Sequence, residues 1–503
     1  MALFLAAVDC GTFAIKAGLF DLQGRARAIT RRRCPCVYRK DGGIEQDPEL
    51  IAQQALACLK EAVERARVQP RHIGAVAVTN QRATVIGVDR HGQALGHAMS
   101  WQDLRGGSAL ARFRETLDDR TYYRVTGLPN NPVFTLAKIL WLREHDPARY
   151  RRTARFVTVH DYVAHRLGCP EFCCDGSNAS LTGLLDGVRM RWSNTILEAA
   201  GIEEQRLPDL VPSATVIGAV SPWAAARCGL PSGTPIVAGG GDQQCAGIGA
   251  GAVEPGMVEI TLGTAGVALA CADRPVRDLR QRIMCCVHAV PGKWDVEGLQ
   301  NAAGGSLGWL KQLLRGGRDF PAAWFRAAAR LAPGADGARF YPFLAGASAP
   351  NWNPDATAMF LGLTHAHGRP ALLRAVMEGV SMETGQILDL FKSLHIPIRE
   401  IRLTGGCSRI AAWCQIQADL YGKPVADLEC PEATLLGAAV LAAVGAKAYA
   451  TVNAAVCRMV RPDTVYAPRR AAVVQYRRLR REFGDIYRAT EQAGLFRRTR
   501  RRE

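Results

Sequence analysis

Apolar and polar positions along this chain follow two different periods, and the switches between them mark out the elements. LFLAAVDCGTFAIKAGLFDLQGRA carries apolar runs on either side of Cys10-Gly11-Thr12 and a second turn at Gln23-Gly24, which predicts a β-hairpin followed by further strand. AVAVTNQ near residue 75, and PIVA just before Gly239, read as buried strands. In PELIAQQALACLKEAVERARV the apolar positions recur at three and four, the spacing of one helix face. The second half has the same layout. MVEITLGTAGVALAC is a hairpin turning at Gly263-Thr264, and RPALLRAVMEGVSMETGQILDLFKSL is helical. IREIRLTGGCSRIAAWCQIQADLYG reads as strand, glycine turn and helix, and EATLLGAAVLAAVG as a small-residue helix that can pack closely. Strands alternating with helices predict an α/β layer fold. A Gly-Thr hairpin at the head of each half predicts two related domains, over 1–250 and 251–460, with a basic extension over 461–503.

Length supports that division, since 503 residues exceed one ordinary core. A composition of 48% hydrophobic and 22% charged residues is that of a soluble globular protein. The opening MALFLAAVDCG has no basic region before it and is interrupted by Asp9, so it does not read as a signal peptide. No apolar run is long enough to cross a bilayer, and no membrane partner is expected. The 16 cysteines occur singly or as Cys34-Pro-Cys36, Cys173-Cys174 and Cys285-Cys286, without C-x-x-C spacing, and read as reduced packing thiols of a cytoplasmic protein.

A net charge of +17 raises the question of a polyanionic partner. From Arg469 onward there are twelve arginines against four acidic residues, so this short segment supplies +8 of the total. It lacks interleaved aromatics and any nucleic-acid-binding motif. A solvated basic helix is therefore expected in preference to nucleic-acid binding. His72, His91, His97 and His160 are scattered without metal-ligand spacing and read as surface or hydrogen-bonded histidines, while Trp141 and Trp309 read as helix core. Nothing in the pattern decides between a monomer and a homodimer.

Tight Gly-Thr turns can aim successive backbone N–H groups at a phosphate, with the threonine hydroxyl as a further donor. Two such turns, an acid at Asp9 and a third glycine turn at Gly405-Gly406-Cys407-Ser408 point to a nucleotide cleft. The stretch Gly239-Gly240-Gly241-Asp242-Gln243-Gln244 fits two readings: a strand-to-helix turn capped by Asp242, or a carboxylate presented for chemistry.

Taken in order, DCGTFAIKAGLFD, TNQRATVIGVDRHGQ, MSWQDLR, GGGDQQ, ITLGTAGV, SAPNWNPDATAMFLGLT, LTGGCSRIAAWCQIQADLYGKPV and EATLLGAA resemble the motifs of the FGGY family of carbohydrate kinases, from Asp9 to about Val444. The resemblance implies two ribonuclease-H-like domains of the actin, hexokinase and Hsp70 type, flanking a cleft for ATP and sugar. It also implies ATP and Mg²⁺ as co-substrate and cofactor. On the matching positions, Asp9 would organise the metal and Asp242 would be the catalytic base. Gly11, Thr12 and Lys16 would form a first phosphate loop, and Gly263 and Thr264 a second. Gly405, Gly406 and Ser408 would line the adenosine pocket. Arg82, Trp101, Asp242 and Gln243 would meet the sugar. Phe13 departs from the family pattern, standing where relatives carry a small residue.

The substrate motifs are mixed. Asn80-Gln81-Arg82 and Trp101-Gln102-Asp103 resemble the glycerol kinases, yet Ala83 stands where those carry an acid, and Asn131-Pro132-Val133-Phe134 lacks their tyrosine. Losing two hydroxyl partners disfavours glycerol. CCDGSNAS, with Asp175 and Asn178, is closer to the xylulokinase branch, so a pentulose or related ketose or polyol is expected. A non-catalytic actin-like ATP-binding protein is the competing class. It is disfavoured because Asp9 and Asp242 are both present.

Overall fold

The computed structural model describes residues 3–499. The chain forms two compact units, each headed by a twisted sheet. The first comprises the residues up to Val253 together with Ala272–Asp295 and Glu432–Arg461; the second comprises Glu254–Cys271, Val296–Pro431 and the residues from Pro462 on.

In the first unit the hairpin Phe4–Cys10 and Ala14–Asp21 is antiparallel, with Cys10 opposite Ile15, and Ala26–Arg33 continues it outward. On the other side of Phe4–Cys10 lie the parallel strands Ile73–Asn80 and then Pro235–Gly241. These inner strands are buried except at Gly74 and Pro235, as expected of parallel strands covered on both faces. The helix Pro48–Ala66 covers one face. Asp47 caps it by accepting from Glu49 N and Leu50 N, and Ile51, Ala52, Ala55, Leu56, Leu59, Ala62 and Val63 form its buried stripe.

The opposite face explains why Glu432–Arg461 belongs to this unit. Helix Ala433–Gly445 packs on helix Asp242–Ala250 through small residues: a side-chain carbon at Gly437 would overlap the Cys245 carbonyl, and one at Gly249 the Ala433 carbonyl. Only glycine allows that backbone approach.

The second unit repeats the pattern. Gly256–Leu262 is antiparallel to Gly266–Ala272 and parallel to Ile398–Thr404, and the sheet continues through Val425–Leu428 to Pro462–Tyr466. Helix Arg369–Ser393 is buried on nearly all sides, and its buried charged residues Arg374, Glu378 and Glu383 are hydrogen-bonded. Arg374 Nε donates to Glu378 Oε1 at 2.7 Å, and Tyr476 OH donates to the same oxygen at 2.7 Å.

Tyr476 belongs to helix Arg470–Gln492, so the basic C-terminal segment is built into the unit rather than appended to it. Ala472, Tyr476, Leu479, Phe483 and Tyr487 recur at three and four and face inward. Tyr341 stacks on Phe483 with centroids 4.3 Å apart. Most arginines of this helix lie on its outer face, but Arg480 turns inward and donates to Gly385 O at 2.5 Å and Leu420 O at 3.4 Å. Trp309, expected in the core, is over one-third exposed and stacks on Phe340 and Phe360. Among the described residues no helix is long and apolar enough to cross a membrane.

Candidate active site

Strand register brings the first group of residues together. Asp9 lies opposite Thr79, Cys10 opposite Asn80, and Gly241 opposite Asn80 from the other side. Three neighbouring strands therefore end together, delivering Asp9, Gln81-Arg82 and Asp242 to one edge of the sheet. Arg82 is buried, and its Nε lies 3.6 Å from Asp242 Oδ1. It crosses the backbone at Gly241, where any side chain would collide with its methylenes. Asp242 is the first residue of its helix; Gly241 occupies the cap position, and no side chain caps that end. The capping role is thus not the one Asp242 plays. Its Oδ1 accepts from Gln243 N at 2.9 Å, and its side chain is about one-third exposed, at 31%.

The first hairpin turn is wired to the MSWQDLR segment. Thr12 Oγ1 donates to Gln81 Oε1 at 3.0 Å and accepts from Trp101 Nε1 at 2.9 Å. Gln81 Nε2 in turn donates to Gln46 Oε1 at 2.7 Å, and Gln46 Nε2 to Thr12 O at 2.8 Å. The Thr12 side chain therefore fixes Trp101, while Gly11 and the exposed Phe13 form the open part of the turn. Lys16 neither points freely into solvent nor stands alone, because its Nζ is 2.6 Å from Glu432 Oε2.

Glu432 precedes helix Ala433–Gly445, and it adds a third carboxylate beside Asp9 and Asp242. Burial is the main force raising the Asp9 pKa, to about 7; Lys16 opposes it, and the charges of Asp242 and Glu432 add to it. Asp9 Oδ1 and Gln243 Oε1 are buried without a hydrogen-bond partner among the described residues. Both are therefore available to a ligand. Asp175, in contrast, is committed internally. Its Oδ1 accepts from Ser177 N and Asn178 N, and its Oδ2 from Asn178 Nδ2 at 2.5 Å.

In the second unit the Gly263-Thr264 turn is exposed at Thr264 and anchored through its carbonyls. Gly263 O accepts from Gly304 N at 2.7 Å, and Thr264 O from Ala303 N and Gly305 N. Gly405 enters a short 3₁₀ turn, Gly406–Arg409, which Ser408 closes by donating to Gly405 O at 2.8 Å. Space around the α-carbon of Gly406 is open. Beneath these turns Glu259 is fully buried, accepting from Thr261 at 2.6 Å and from Thr404. Its pKa is pushed up to about 7 by burial, with the two hydroxyls opposing.

Glu432 and Gly304 are residues of these clusters that sequence reasoning passed over. Glu432 opens the EATLLGAA motif, so the motif marked its position without its partner. The glycine pair Gly304-Gly305 opening an amphipathic helix was the available signal for the other. Most of the sixteen cysteines are buried.

Comparison with known proteins identifies the family and the fold. Residues 4–249 match the N-terminal domain and residues 258–446 the C-terminal domain of the FGGY family of carbohydrate kinases. A xylulose kinase of Bacillus subtilis is 30% identical over 491 residues, covering 97% of both chains. A glycerol kinase of Alkalilimnicola ehrlichii is 31% identical over 450 residues, 87% of this chain and 89% of that one. The solved xylulose kinase of Rhodospirillum rubrum superposes with a TM-score of 0.89 at 27% identity, over 98% of this chain and 100% of that one. With two actin- and hexokinase-like units and both family domains spanning its length, the chain belongs to the FGGY family of carbohydrate kinases.

Proposed function

We propose that this kinase transfers the γ-phosphoryl group of ATP to a hydroxyl of a pentulose, with Asp242 as the base that orients the hydroxyl and accepts its proton. The observation that carries this reading is the position of Asp242, accessible at a strand end, beside the Arg82 guanidinium and close to Asp9. Phosphoryl transfer depends on alignment and charge stabilisation more than on covalent chemistry. The Arg82 guanidinium, with Nε 3.6 Å from Asp242 Oδ1, holds the carboxylate in position. Gln243 Oε1, otherwise unpartnered, accepts from a substrate hydroxyl. Trp101, locked by Thr12, offers a flat apolar wall to the C–H face of the sugar.

In the second unit, Gly263 and Thr264 bind phosphate, and Gly405, Gly406 and Ser408 bind adenosine. On the first hairpin, Gly11, Thr12 and Lys16 supply donors to the terminal phosphates, Thr12 chiefly through its backbone. A divalent magnesium ion fits the unpartnered Asp9 oxygen and the surplus of carboxylates around it. When bound, it supplies charge neutralisation for the polyphosphate. Asp9 would hold it.

The choice of a pentulose rests on the xylulose kinase relatives and on the missing glycerol contacts. Ala83 is buried and offers no hydroxyl partner, and Phe134 is buried in place of a phenol. A phosphorylation screen over glycerol, erythritol, tetruloses, pentuloses and hexuloses tests the choice; a preference for glycerol would overturn it. Asp242→Asn should abolish transfer while ATP binding, followed by calorimetry, persists. Near-normal turnover in that variant would remove Asp242 from the mechanism.

A further inference from the structure

The strand that leads into Asp242 shifts register against its neighbour just before it ends. Up to Ala238 it is laddered on both sides. Ala238 N donates to Thr215 O, and Ala214 N to Ala238 O, each at 2.8 Å; the other side pairs with Ile73–Asn80. At Gly239 the register against Ile73–Asn80 shifts. Such a bulge takes main-chain groups out of the ladder. Two of the amides go instead to side chains. Gly239 N donates to His160 Nε2 at 3.3 Å, and Gly241 N to Ser177 Oγ at 2.9 Å. Both acceptors are fully buried, and they come from different helices, Val159–Leu167 and Gly176–Ser180.

Each acceptor is itself held by a carboxylate. A backbone amide can only donate, so His160 Nε2 carries no proton, and the ring hydrogen sits on Nδ1, 3.0 Å from Asp161 Oδ1. The other Asp161 oxygen accepts from Thr158 N at 2.7 Å, completing a capping box that fixes the start of the same helix. Ser177 donates its hydroxyl hydrogen to Asp175 Oδ1, which leaves its oxygen lone pairs for the Gly241 amide. Asp175 is locked in place by the amides of Ser177 and Asn178.

We propose that His160 and Ser177 are positioning residues for phosphoryl transfer: they grip the bulged segment from Gly239 to Gly241 and thereby set where the Asp242 carboxylate meets the acceptor hydroxyl. The inference rests on Asp242 being the base. Neither residue touches substrate. A base displaced by a fraction of an ångström slows the chemical step while leaving binding intact, so the signature is a loss of kcat at nearly constant KM.

The test uses the full-length enzyme, ATP and D-xylulose. His160→Leu and Ser177→Ala each remove one acceptor; His160→Gln returns an amide oxygen, and Ser177→Thr keeps the hydroxyl. We expect kcat to fall by about 10- to 100-fold in the first two, with both KM values within about threefold, and to recover largely in the second two. Folded His160→Leu and Ser177→Ala enzymes with kcat within about twofold of the parent would overturn the inference, as would a loss that the conservative variants fail to restore. If His160→Leu does not fold, the smaller deletion Ser177→Ala with its Ser177→Thr control decides alone. Asp242→Asn is measured in parallel. An active Asp242→Asn enzyme refutes the base assignment, whereas an inactive one alongside normal His160 and Ser177 variants refutes only the positioning.

Discussion

The Lys16 ammonium lies 2.6 Å from Glu432 Oε2, tying the first hairpin to the start of a helix 416 residues further along the chain. Both side chains are about one-quarter exposed, at 25% and 29%, so solvent screens the pair. Its contribution to stability is on the order of 1 kcal/mol or less. On the proposed role of Lys16 at the terminal phosphates, nucleotide and Glu432 would compete for the same ammonium. Lys16→Met should therefore raise KM for ATP about tenfold. Glu432→Gln, which releases Lys16, should leave that KM unchanged or lower it while shifting the urea midpoint slightly down. An unaltered ATP KM in Lys16→Met would reduce the lysine to a strut.

Arg82 and Asp242 form the other decisive pair. Lysine at position 82 would keep the charge but lose the planar fork and the reach across Gly241. Arg82→Lys should cost roughly 10- to 100-fold in kcat/KM for the sugar, with the ATP KM nearly constant. Steady-state kinetics with each substrate varied in turn would show the split; equal losses for both would point to a general disturbance.

Helix contact through glycine makes a stability prediction. Gly437→Ala places a carbon against the Cys245 carbonyl, and backbone on both helices must separate. A loss of about 1–3 kcal/mol is expected from overpacking. Gly308→Ala is the contrast: nothing lies within 4 Å of the added carbon, and the site is inside helix Gly304–Arg315. There the substitution should gain roughly 0.5–1 kcal/mol. Urea denaturation of both variants would read the opposite signs.

Buried acids predict the direction of the pH dependence. Glu383, fully buried on helix Arg369–Ser393, has its pKa pushed from 4.5 up to about 8 by burial, with the amide of Gln300 opposing. Glu259 rises from 4.5 to about 7. Between its unfolded and folded values each group binds more protons folded than unfolded, so stability must fall as pH rises across that window. The unliganded protein should therefore lose stability as pH rises from about 4.5 to about 7; above that, Lys138, whose pKa burial lowers from 10.5 to about 7, contributes in the opposite sense and offsets the remaining Glu383 effect. Glu383→Gln should flatten the slope and raise the melting temperature at pH 8.5 relative to the parent, an effect on the order of a few kcal/mol at most. A parent whose melting temperature climbs steadily to pH 8.5 would contradict it.

Local pattern carried much of this protein. The helix Pro48–Ala66, the two Gly-Thr hairpins and the buried strand Ile73–Asn80 follow from apolar period and turn residues, because neighbouring residues and simple burial decide them. The same holds for the α/β class and for the order of the motifs that place the chain among carbohydrate kinases. The helix Arg470–Gln492 shows where composition misled. Its arginines dominated the reading, while Tyr476, Phe483 and Tyr487 at helical spacing bind it into the second unit.

What sequence could not decide is which side chains meet. Taken alone, Asp242 read as a cap or a reactive acid; the kinase resemblance favoured the acid, and strand register set it beside Arg82 and away from the cap position. Lys16 gained Glu432, Thr12 gained Trp101, and His160, read only as a satisfied histidine, acquired the amide of Gly239. Each partnership joins residues 79 or more positions apart. Hydrogen bonds and ion pairs act over a few ångströms, and at such separations proximity is a property of sheet register and glycine-mediated helix packing, which no local pattern encodes.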